Sequence, residues 1–224
     1  MKRPHSAVAH QTLDLWAGLP RSAKVHTRIR WWTAPFEQLE TRIPVSGRIL
    51  EVGCGHGLFS TYLALSSPDR AVTGIDIDPA KIELAKKAVK TISETSLHFE
   101  HREAGDIPKP EAGWDAIVFV DVLYLMTPEN RRSVLEQCAG ALTPGGVLVV
   151  KEVDNRPRLK AFLAQTQEFV ATKIIRITRG EHMVFPSAEE LEVELAALGL
   201  QTSAHRLDRG YLHPHCVVTG TKPI

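Results

Sequence analysis

The stretch that decides the fold lies at residues 49–57 and reads ILEVGCGHG. A short apolar run leads into one acidic residue and then into glycines at alternate positions, Gly53, Gly55 and Gly57. Glycine has no Cβ atom and tolerates positive φ, so the backbone of such a turn can approach a ligand closely. The pattern of residues 58–65 is helical. A buried strand, a glycine turn and a helix N-terminus in this order predict a nucleotide-type site.

The spacing of the glycines discriminates between nucleotides. The dinucleotide fingerprint, G-x-G-x-x-G, needs its third glycine at a fixed distance from the first two. Counted from Gly53, that third position is Leu58, and counted from Gly55 it is Ser60, which makes a partial match only. The spacing therefore disfavours NAD. A glycine-rich turn without any ligand stays open as an alternative, because such turns recur without function.

Strand and helix patterns alternate along the rest of the chain. We predict strands at residues 48–53, 71–77, 97–102, 115–121 and 147–153, and helices at residues 57–66, 79–91, 128–141 and 157–175. A capping box at residues 187–190 opens one more helix, and extended segments near 201–207 and 214–221 predict a closing antiparallel hairpin. The chain is thus expected to be an α/β protein with a Rossmann-like, doubly wound, mainly parallel seven-stranded sheet and an antiparallel C-terminal edge strand.

The N-terminal part of the chain does not show the alternating strand and helix patterns of the remainder. We predict one or two short helices there, with Pro44 and Gly47 marking the junction to the first strand. The expected organisation is a single domain overall, with an N-terminal helical cap segment at residues 1–45 and the main domain at residues 46–224. A helical segment packed over the main domain is compatible with a lid that shapes a substrate pocket.

Bulk properties restrict the class of protein. The formal net charge is +1, so no overall basic field points to nucleic acid. The longest apolar runs, such as residues 116–120, are far shorter than a membrane span, and no secretory signal is visible. The three cysteines show neither a disulfide framework nor the spacing of zinc ligands. A protein of the reducing cytoplasm, without a metal site, fits these properties best.

The run from Glu51 to Gly57, E-x-G-x-G-x-G, resembles motif I of the class I S-adenosylmethionine-dependent methyltransferases, and the resemblance extends over residues 45–155. The second strand ends at Asp76, which matches the family's acid for the two ribose hydroxyls, since a carboxylate accepts two hydrogen bonds at once. Asp106 looks like the acid that accepts a hydrogen bond from the adenine amino group, with a turn aspartate as the alternative. For S-adenosylmethionine and its product S-adenosylhomocysteine, the resemblance implies contacts from Glu51, Gly53, Gly55, Gly57, Asp76, Ile77, Asp106, Ile107, Asp121 and Val122.

The implied reaction is an in-line methyl transfer from a sulfonium to an oxygen, nitrogen or carbon acceptor, in which positioning is the protein's main task. In the family, the end of the fourth strand faces the methyl group, so Asp121 and Tyr124 are expected to be exposed at the active site. Tyr124 is a candidate catalytic residue, with packing over the methionine portion as an equal alternative. His215 is a candidate base, because histidine titrates near neutral pH. His213 and His215 form too weak a pattern to predict a metal.

The expected acceptor is a small molecule, aromatic or lipid-like, which is motivated by Trp31, Trp32 and Phe36 and by resemblance to the branch acting on small molecules, quinones and lipids. Nucleic acid is not expected as a partner, because residues 121–124 read DVLY in place of the Asn/Asp-Pro-Pro-Tyr/Phe tetrapeptide. Peripheral contact with a membrane and the oligomeric state stay open. The alternative functions are an NAD-dependent oxidoreductase and a non-catalytic S-adenosylmethionine-binding module.

Overall fold

The computed structural model describes residues 4–103, 105–153, 185–211 and 214–224. The strands are β1 (Gly47–Val52), β2 (Arg70–Asp76), β3 (Leu97–His101), β4 (Trp114–Val120), β5 (Leu142–Val153), β6 (Gln201–Arg206) and β7 (His215–Thr221). The α-helices are α1 (Ala7–Leu15), α2 (Arg21–Thr33), α3 (Phe36–Glu40), α4 (Leu58–Ser66), α5 (Pro79–Ala88), α6 (Pro128–Ala141) and α7 (Ala188–Ala197). Short 3-10 helices lie at Trp16–Gly18 and Leu123–Leu125.

All seven strands form one sheet in the order β3-β2-β1-β4-β5-β7-β6. Strands β1 to β5 pair in parallel, and β7 pairs antiparallel with both β5 and β6. The predicted doubly wound sheet is confirmed, with the antiparallel strand one place inside the edge strand β6. Because β1, β2 and β4 are parallel and in register, their carboxyl ends meet at one edge of the sheet, where open α/β sheets bind ligands.

Most element boundaries lie within a residue or two of the predicted ones, because side-chain caps mark them. Asp78 accepts hydrogen bonds from the first amides of α5, Thr127 does so for α6, and Ser187 forms a complete capping box with Glu190 at α7. Strand β5 differs, since it begins at Leu142, before the glycine turn that we placed ahead of it. That turn is a bulge within the strand, where the pairing with β4 shifts register.

The N-terminal region contains three α-helices and a 3-10 helix, more than the one or two short helices predicted. Its largest apolar side chains are buried, including Trp16, Trp31 and Phe36 at 1%, 3% and 3% exposure. They pack in the same core cluster as Phe59 of α4 and Val118 of β4. Helices α6 and α7 contribute to a second cluster on the sheet. Residues of the N-terminal region therefore help to form the core that supports the sheet.

The helix predicted at residues 157–175 lies outside the described residues. Within the part of the chain that the structure describes, no helix combines the length and apolar character needed to cross a membrane. The same residues contain no group of three or more His, Cys, Asp or Glu side chains that could hold a metal ion. Cys54, Cys138 and Cys216 are buried thiols.

Candidate active site

The glycine turn after β1 has the conformation that its sequence predicts. Gly53, Gly55 and Gly57 have φ values of 75°, 56° and 73°, a region that other residues rarely adopt. A Cβ atom on Gly53 would lie 2.6 Å from a methyl carbon of Val122, and one on Gly57 would overlap the ring of Phe99. A Cβ atom on Gly55 would meet nothing within 4 Å. Packing thus requires two of the glycines, whereas the space beside the third is free for a ligand.

Asp76, at the end of β2, lies against this turn. Its Oδ2 accepts a hydrogen bond from the Gly55 amide at 2.7 Å, and its Oδ1 accepts one from the Asp78 amide at 2.9 Å. A carboxylate oxygen has a further lone pair, so each oxygen can still accept a bond from a ligand hydroxyl. Ile77 follows directly with 56% of its surface exposed. A carboxylate and an apolar side chain are therefore both available beside the open glycine.

Glu51 is buried below the turn, at 3% exposure. Its carboxylate accepts a hydrogen bond from the hydroxyl of Ser60 in α4. Burial raises the pKa of Glu51 to about 7, although the Ser60 bond and the charge of Arg30 act in the opposite direction. The side chain thus connects β1 to the helix after the glycine turn.

The segment between β3 and β4 holds two more of the predicted contacts, Asp106 and Ile107. Asp106 is mostly exposed and forms an ion pair with Arg102 at 2.9 Å. Ile107 is partly buried against the second core cluster. The indole of Trp114 donates a hydrogen bond to the Pro108 carbonyl at 2.5 Å, which ties this segment to the start of β4.

A cluster of charged side chains lies at the carboxyl ends of β4 and β5, with Lys151 fully buried and Arg30 and Asp121 partly exposed. Arg30 of α2 forms an ion pair with Asp121 at 2.6 Å, and Lys151 of β5 contacts both oxygens of the same carboxylate at 2.6 and 2.7 Å. The Asp121 side chain is only 11% exposed, so our expectation of an exposed Asp121 was wrong. Burial would raise the pKa of Asp121, but Lys151 and Arg30 outweigh it and hold that pKa well below its ordinary value.

Glu152 lies next to this cluster and is fully buried. Its Oε1 accepts hydrogen bonds from the amides of Val122 and Leu123 at 3.1 and 2.8 Å, which caps the 3-10 helix Leu123–Leu125. Its Oε2 has no hydrogen-bond partner among the described residues. Burial, together with the charge of Asp121, raises the pKa of Glu152 to about 8. A carboxyl group of this kind holds its proton at neutral pH.

The two candidate catalytic residues lie at the same edge of the sheet. The Tyr124 ring stacks on that of Phe185, with centroids 4.8 Å apart and planes 7° from parallel. Burial and the charge of Asp121 raise the pKa of Tyr124 to about 12, so the phenol keeps its proton at neutral pH. His215 begins β7, is 3% exposed and meets the Tyr211 ring edge to face at 5.4 Å. His213 lies outside the described residues.

Helix α2 reaches two parts of this edge. The ring of His26 lies 4.8 Å from that of His56 in the glycine turn, and Arg30 reaches the end of β4. Burial and the nearby Lys81 lower the pKa of His56. Neither Arg30 nor Lys151 belongs to a motif that is recognisable in the sequence. Arg30 is one of several basic residues in the polar helix α2, and Lys151 lies near the end of a buried strand, so neither position stood out.

Trp31 and Phe36 are buried, although the Arg30 guanidinium lies over the Phe36 ring, 5.7 Å from its centroid. The Trp31 ring packs edge to face against Tyr62 at 5.1 Å, and the Phe36 ring stacks on Phe59 at 4.9 Å. Both partners belong to α4, so these aromatic side chains form core and cannot support an argument about the acceptor. Trp32 is 36% exposed.

Comparisons with known proteins agree with this geometry. A family model described as a methyltransferase domain matches residues 49–146. A ubiquinone biosynthesis O-methyltransferase of Bordetella avium is 27% identical over 223 residues, covering 91% of this chain and 86% of the relative. A tRNA N(3)-cytidine methyltransferase of Gallus gallus is 26% identical, and the alignment covers 73% of this chain but 45% of that protein.

Solved structures share the fold. The crystal structure of magnesium protoporphyrin IX methyltransferase from Synechocystis PCC 6803, with bound S-adenosylhomocysteine, superposes with a TM-score of 0.64 at 13% identity, over 96% of this chain and 95% of that one. The ordered motifs, the sheet and the matched domain lead to one conclusion. The chain belongs to the class I S-adenosylmethionine-dependent methyltransferases, and S-adenosylmethionine is its cofactor.

Proposed function

We propose that this methyltransferase modifies a small aromatic or lipid-like acceptor, bound at the carboxyl ends of β4 and β5. The observation that carries the proposal is the stacked pair of Tyr124 and Phe185 beside the end of β4. The partly buried side chains of Val122 and Met126 lie in the same region of the chain. Aromatic and apolar groups of this kind line sites for small molecules. The similarity to a ubiquinone biosynthesis O-methyltransferase over most of the chain supports the same class of acceptor.

The cofactor fits the glycine turn on observations made on this chain. The open space at Gly55 and the remaining acceptor capacity of Asp76 suit the ribose portion of S-adenosylmethionine. The amides of the turn and the N-terminus of α4 suit its carboxylate. We assign Gly53 and Gly57 to the shape of this turn, because a side chain on either would overlap a neighbour.

The adenine end would lie toward the segment between β3 and β4. Asp106 would accept a hydrogen bond from the adenine amino group. Its ion pair with Arg102 lies at the surface and contributes little stability, so the carboxylate is available to a ligand. Ile77 and Ile107 would flank the ring. Glu51 supports the turn through Ser60, and Val122 packs under Gly53. Asp121 contributes its backbone here, since its carboxylate is taken up by two cations.

The bound cofactor supplies a methyl group already activated on a sulfonium, which leaves orientation and proton transfer to the protein. We propose that Tyr124 donates a hydrogen bond to the acceptor atom, because its phenol is protonated at neutral pH and the residue lies just after the end of β4. His215 would accept the proton that an oxygen or nitrogen acceptor loses.

We also propose that residues 1–45 act as a helical cap on a main domain at residues 46–224, and that the protein works in the cytoplasm.

A tRNA acceptor is the second candidate, and the similarity to a tRNA N(3)-cytidine methyltransferase favours it. The formal net charge of +1 supports the small acceptor instead, because binding to a phosphate backbone relies on clusters of basic residues. The sequence DVLY at residues 121–124 also lacks the prolines of the tetrapeptide typical of base-amino methyltransferases.

Methyl transfer from radiolabelled S-adenosylmethionine distinguishes the two acceptors. The purified chain would be incubated in parallel with a panel of hydroxylated quinols and catechols and with unmodified tRNA transcripts. We expect label to enter an organic-extractable product from the small aromatic panel, and Tyr124→Phe to slow that transfer. Label that enters only tRNA would contradict the proposal.

A further inference from the structure

The side chain of Arg30, from the N-terminal region, reaches the carboxyl edge of the sheet where we place the active site. Its Nη1 donates to Asp121 Oδ2 at 2.6 Å, and its Nη2 donates to the Val120 carbonyl at 3.0 Å. One guanidinium therefore bridges the last residue of β4 and the first residue of the turn that follows. The planar fork of arginine makes such a double contact, whereas a lysine ammonium acts as a point charge. The Lys151 ammonium contacts the Asp121 carboxylate, and the Lys151 carbonyl accepts a hydrogen bond from the Asp121 amide at 2.9 Å.

The turn that Arg30 contacts is under backbone strain. Asp121 has a φ of 55° and is the one non-glycine residue with positive φ in the described part of the chain. A non-glycine residue persists in this region only when its surroundings hold it there, and such residues cluster at functional sites. Arg30 and Lys151 hold the carboxylate of Asp121, and Glu152 accepts hydrogen bonds from the next two amides. The turn is thus fixed from two sides.

The fixed turn carries Tyr124, which stacks on Phe185. We propose that Arg30 is a positioning residue for methyl transfer, acting through Asp121 to hold the turn that places Tyr124 beside the acceptor. The N-terminal region then completes the active centre. This inference rests on the proposed role of Tyr124. It goes beyond that role, because it assigns the positioning of the turn to a side chain some 90 positions away in sequence.

A simple stability role for Arg30 makes a different prediction. A salt bridge that only attaches α2 would change the unfolding temperature and leave the turn after β4 as it is. A positioning role requires that the turn loosen when the fork is lost, with the cofactor still bound. Exchange of the amides at residues 120–126 with solvent deuterium measures that loosening directly, because two of them are held by Glu152.

The test compares Arg30→Ala and Arg30→Lys with Arg28→Ala, an exposed arginine on the same helix. For Arg30→Ala we expect exchange at residues 120–126 to speed up by about tenfold and kcat to fall by about 100-fold, since a small misplacement has an effect of that size. The affinity for S-adenosylhomocysteine should stay within about threefold of the wild-type value, which corresponds to less than about 1 kcal/mol of binding free energy. Arg30→Lys keeps the charge without the planar guanidinium, so its exchange rate and kcat should lie between those of the wild type and those of Arg30→Ala. Arg28→Ala should match the wild type.

Unchanged exchange at residues 120–126 together with unchanged kcat in Arg30→Ala would overturn the inference. So would a variant that loses affinity for S-adenosylhomocysteine while keeping the wild-type kcat at saturating cofactor, since Arg30 would then serve the cofactor. If Arg30→Ala does not fold, Arg30→Lys decides by the same readouts. Failure of the proposed function would be visible in the wild type, as transfer to tRNA alone, and the exchange comparison would still report on Arg30.

Discussion

Two buried aspartates at the carboxyl edge of the sheet differ in what they bind. Asp76 accepts bonds from two backbone amides and keeps capacity for a ligand, whereas Asp121 is surrounded by two cations. The sequence predicted that Asp76 ends the second strand, and the structure confirms that place, while its contact with the ribose stays a prediction. The sequence predicted an exposed Asp121 wrongly, because nothing local shows that Arg30, far away in the chain, meets that carboxylate.

Replacing Asp76 tests the assignment of the ribose contact. Asp76→Ala should weaken binding of S-adenosylhomocysteine by about 10- to 100-fold, because a hydrogen bond to a charged group contributes about 1.5–3 kcal/mol. Isothermal titration calorimetry measures the change. Asp78→Ala is the matched control, since it removes the cap of α5 and a partly exposed ion pair with Lys81 and should cost about 1 kcal/mol of stability. Equal affinities for the two variants would speak against the assignment.

The raised pKa of Glu152 predicts how stability depends on pH. The folded state binds a proton here up to about pH 8, whereas the unfolded chain releases it near the ordinary value of 4.5. Stability from this group is therefore complete below pH 4.5 and is lost as the pH rises through 8, by an amount on the order of a few kcal/mol. Glu152→Gln, which stays neutral, should flatten the dependence between pH 6 and 8, as followed by urea unfolding.

The exposed Glu136→Gln serves as the control for this experiment. It should leave the pH dependence of the unfolding free energy as in the wild type. If Glu152→Gln kept the full wild-type slope, the buried carboxyl group would not be the source of it.

At the scale of elements, the glycine turn and the helix after it form the part that the sequence predicted best. Alternate glycines require positive φ, and all three have it. Capped helices were also predicted closely, because caps are local hydrogen bonds. The bulge in β5 was not predicted, since it depends on how β5 pairs with β4. Local signals thus predicted the turn and the helix starts, while pairing between distant segments decided the rest.

The glycines of the turn should respond differently to a methyl group. Gly55→Ala adds a side chain in open space and should cost about 1–2 kcal/mol of stability through its left-handed backbone. The same methyl occupies the space proposed for the cofactor, so affinity for S-adenosylhomocysteine should fall about tenfold or more, equal to roughly 1.4 kcal/mol or more. Calorimetry and thermal unfolding on the same samples measure both effects.

Gly57→Ala adds overlap with Phe99 to the same backbone strain. Its stability should therefore fall further, by about 2–5 kcal/mol in total. The contrast is the test: the Gly55 variant should lose mainly affinity and the Gly57 variant mainly stability. A Gly55 variant with wild-type affinity would show that no ligand approaches this glycine.

At the scale of the whole molecule, residues 1–45 contribute to the core and, through Arg30, to the active edge. We predicted a helical cap segment within a single domain, but sequence alone does not show which face of a short helix is covered. The structure buries Trp31 among α4 side chains and leaves its neighbour Trp32 partly exposed. Burying a side chain of this size contributes about 3 kcal/mol, a large share of the typical 5–15 kcal/mol stability of a domain.

Two adjacent tryptophans provide a matched test of that shared core. Trp31→Ala should lower the free energy of unfolding by about 3–5 kcal/mol, because it opens a cavity between α2 and α4. Trp32→Ala should cost less than about 1 kcal/mol, as for most partly exposed positions. Chemical denaturation with both circular dichroism and fluorescence readouts measures the two values. Similar costs for the two variants would indicate that the N-terminal helices are not part of the core.

We propose that the turn at residues 53–57, together with Asp76, holds S-adenosylmethionine. Calorimetric titration of S-adenosylhomocysteine into the folded wild-type chain tests it most directly, with NADH titrated under the same conditions. We predict saturable binding of S-adenosylhomocysteine at one site per chain and no heat of binding with NADH. Folded protein that binds NADH and gives no heat with S-adenosylhomocysteine would contradict the account.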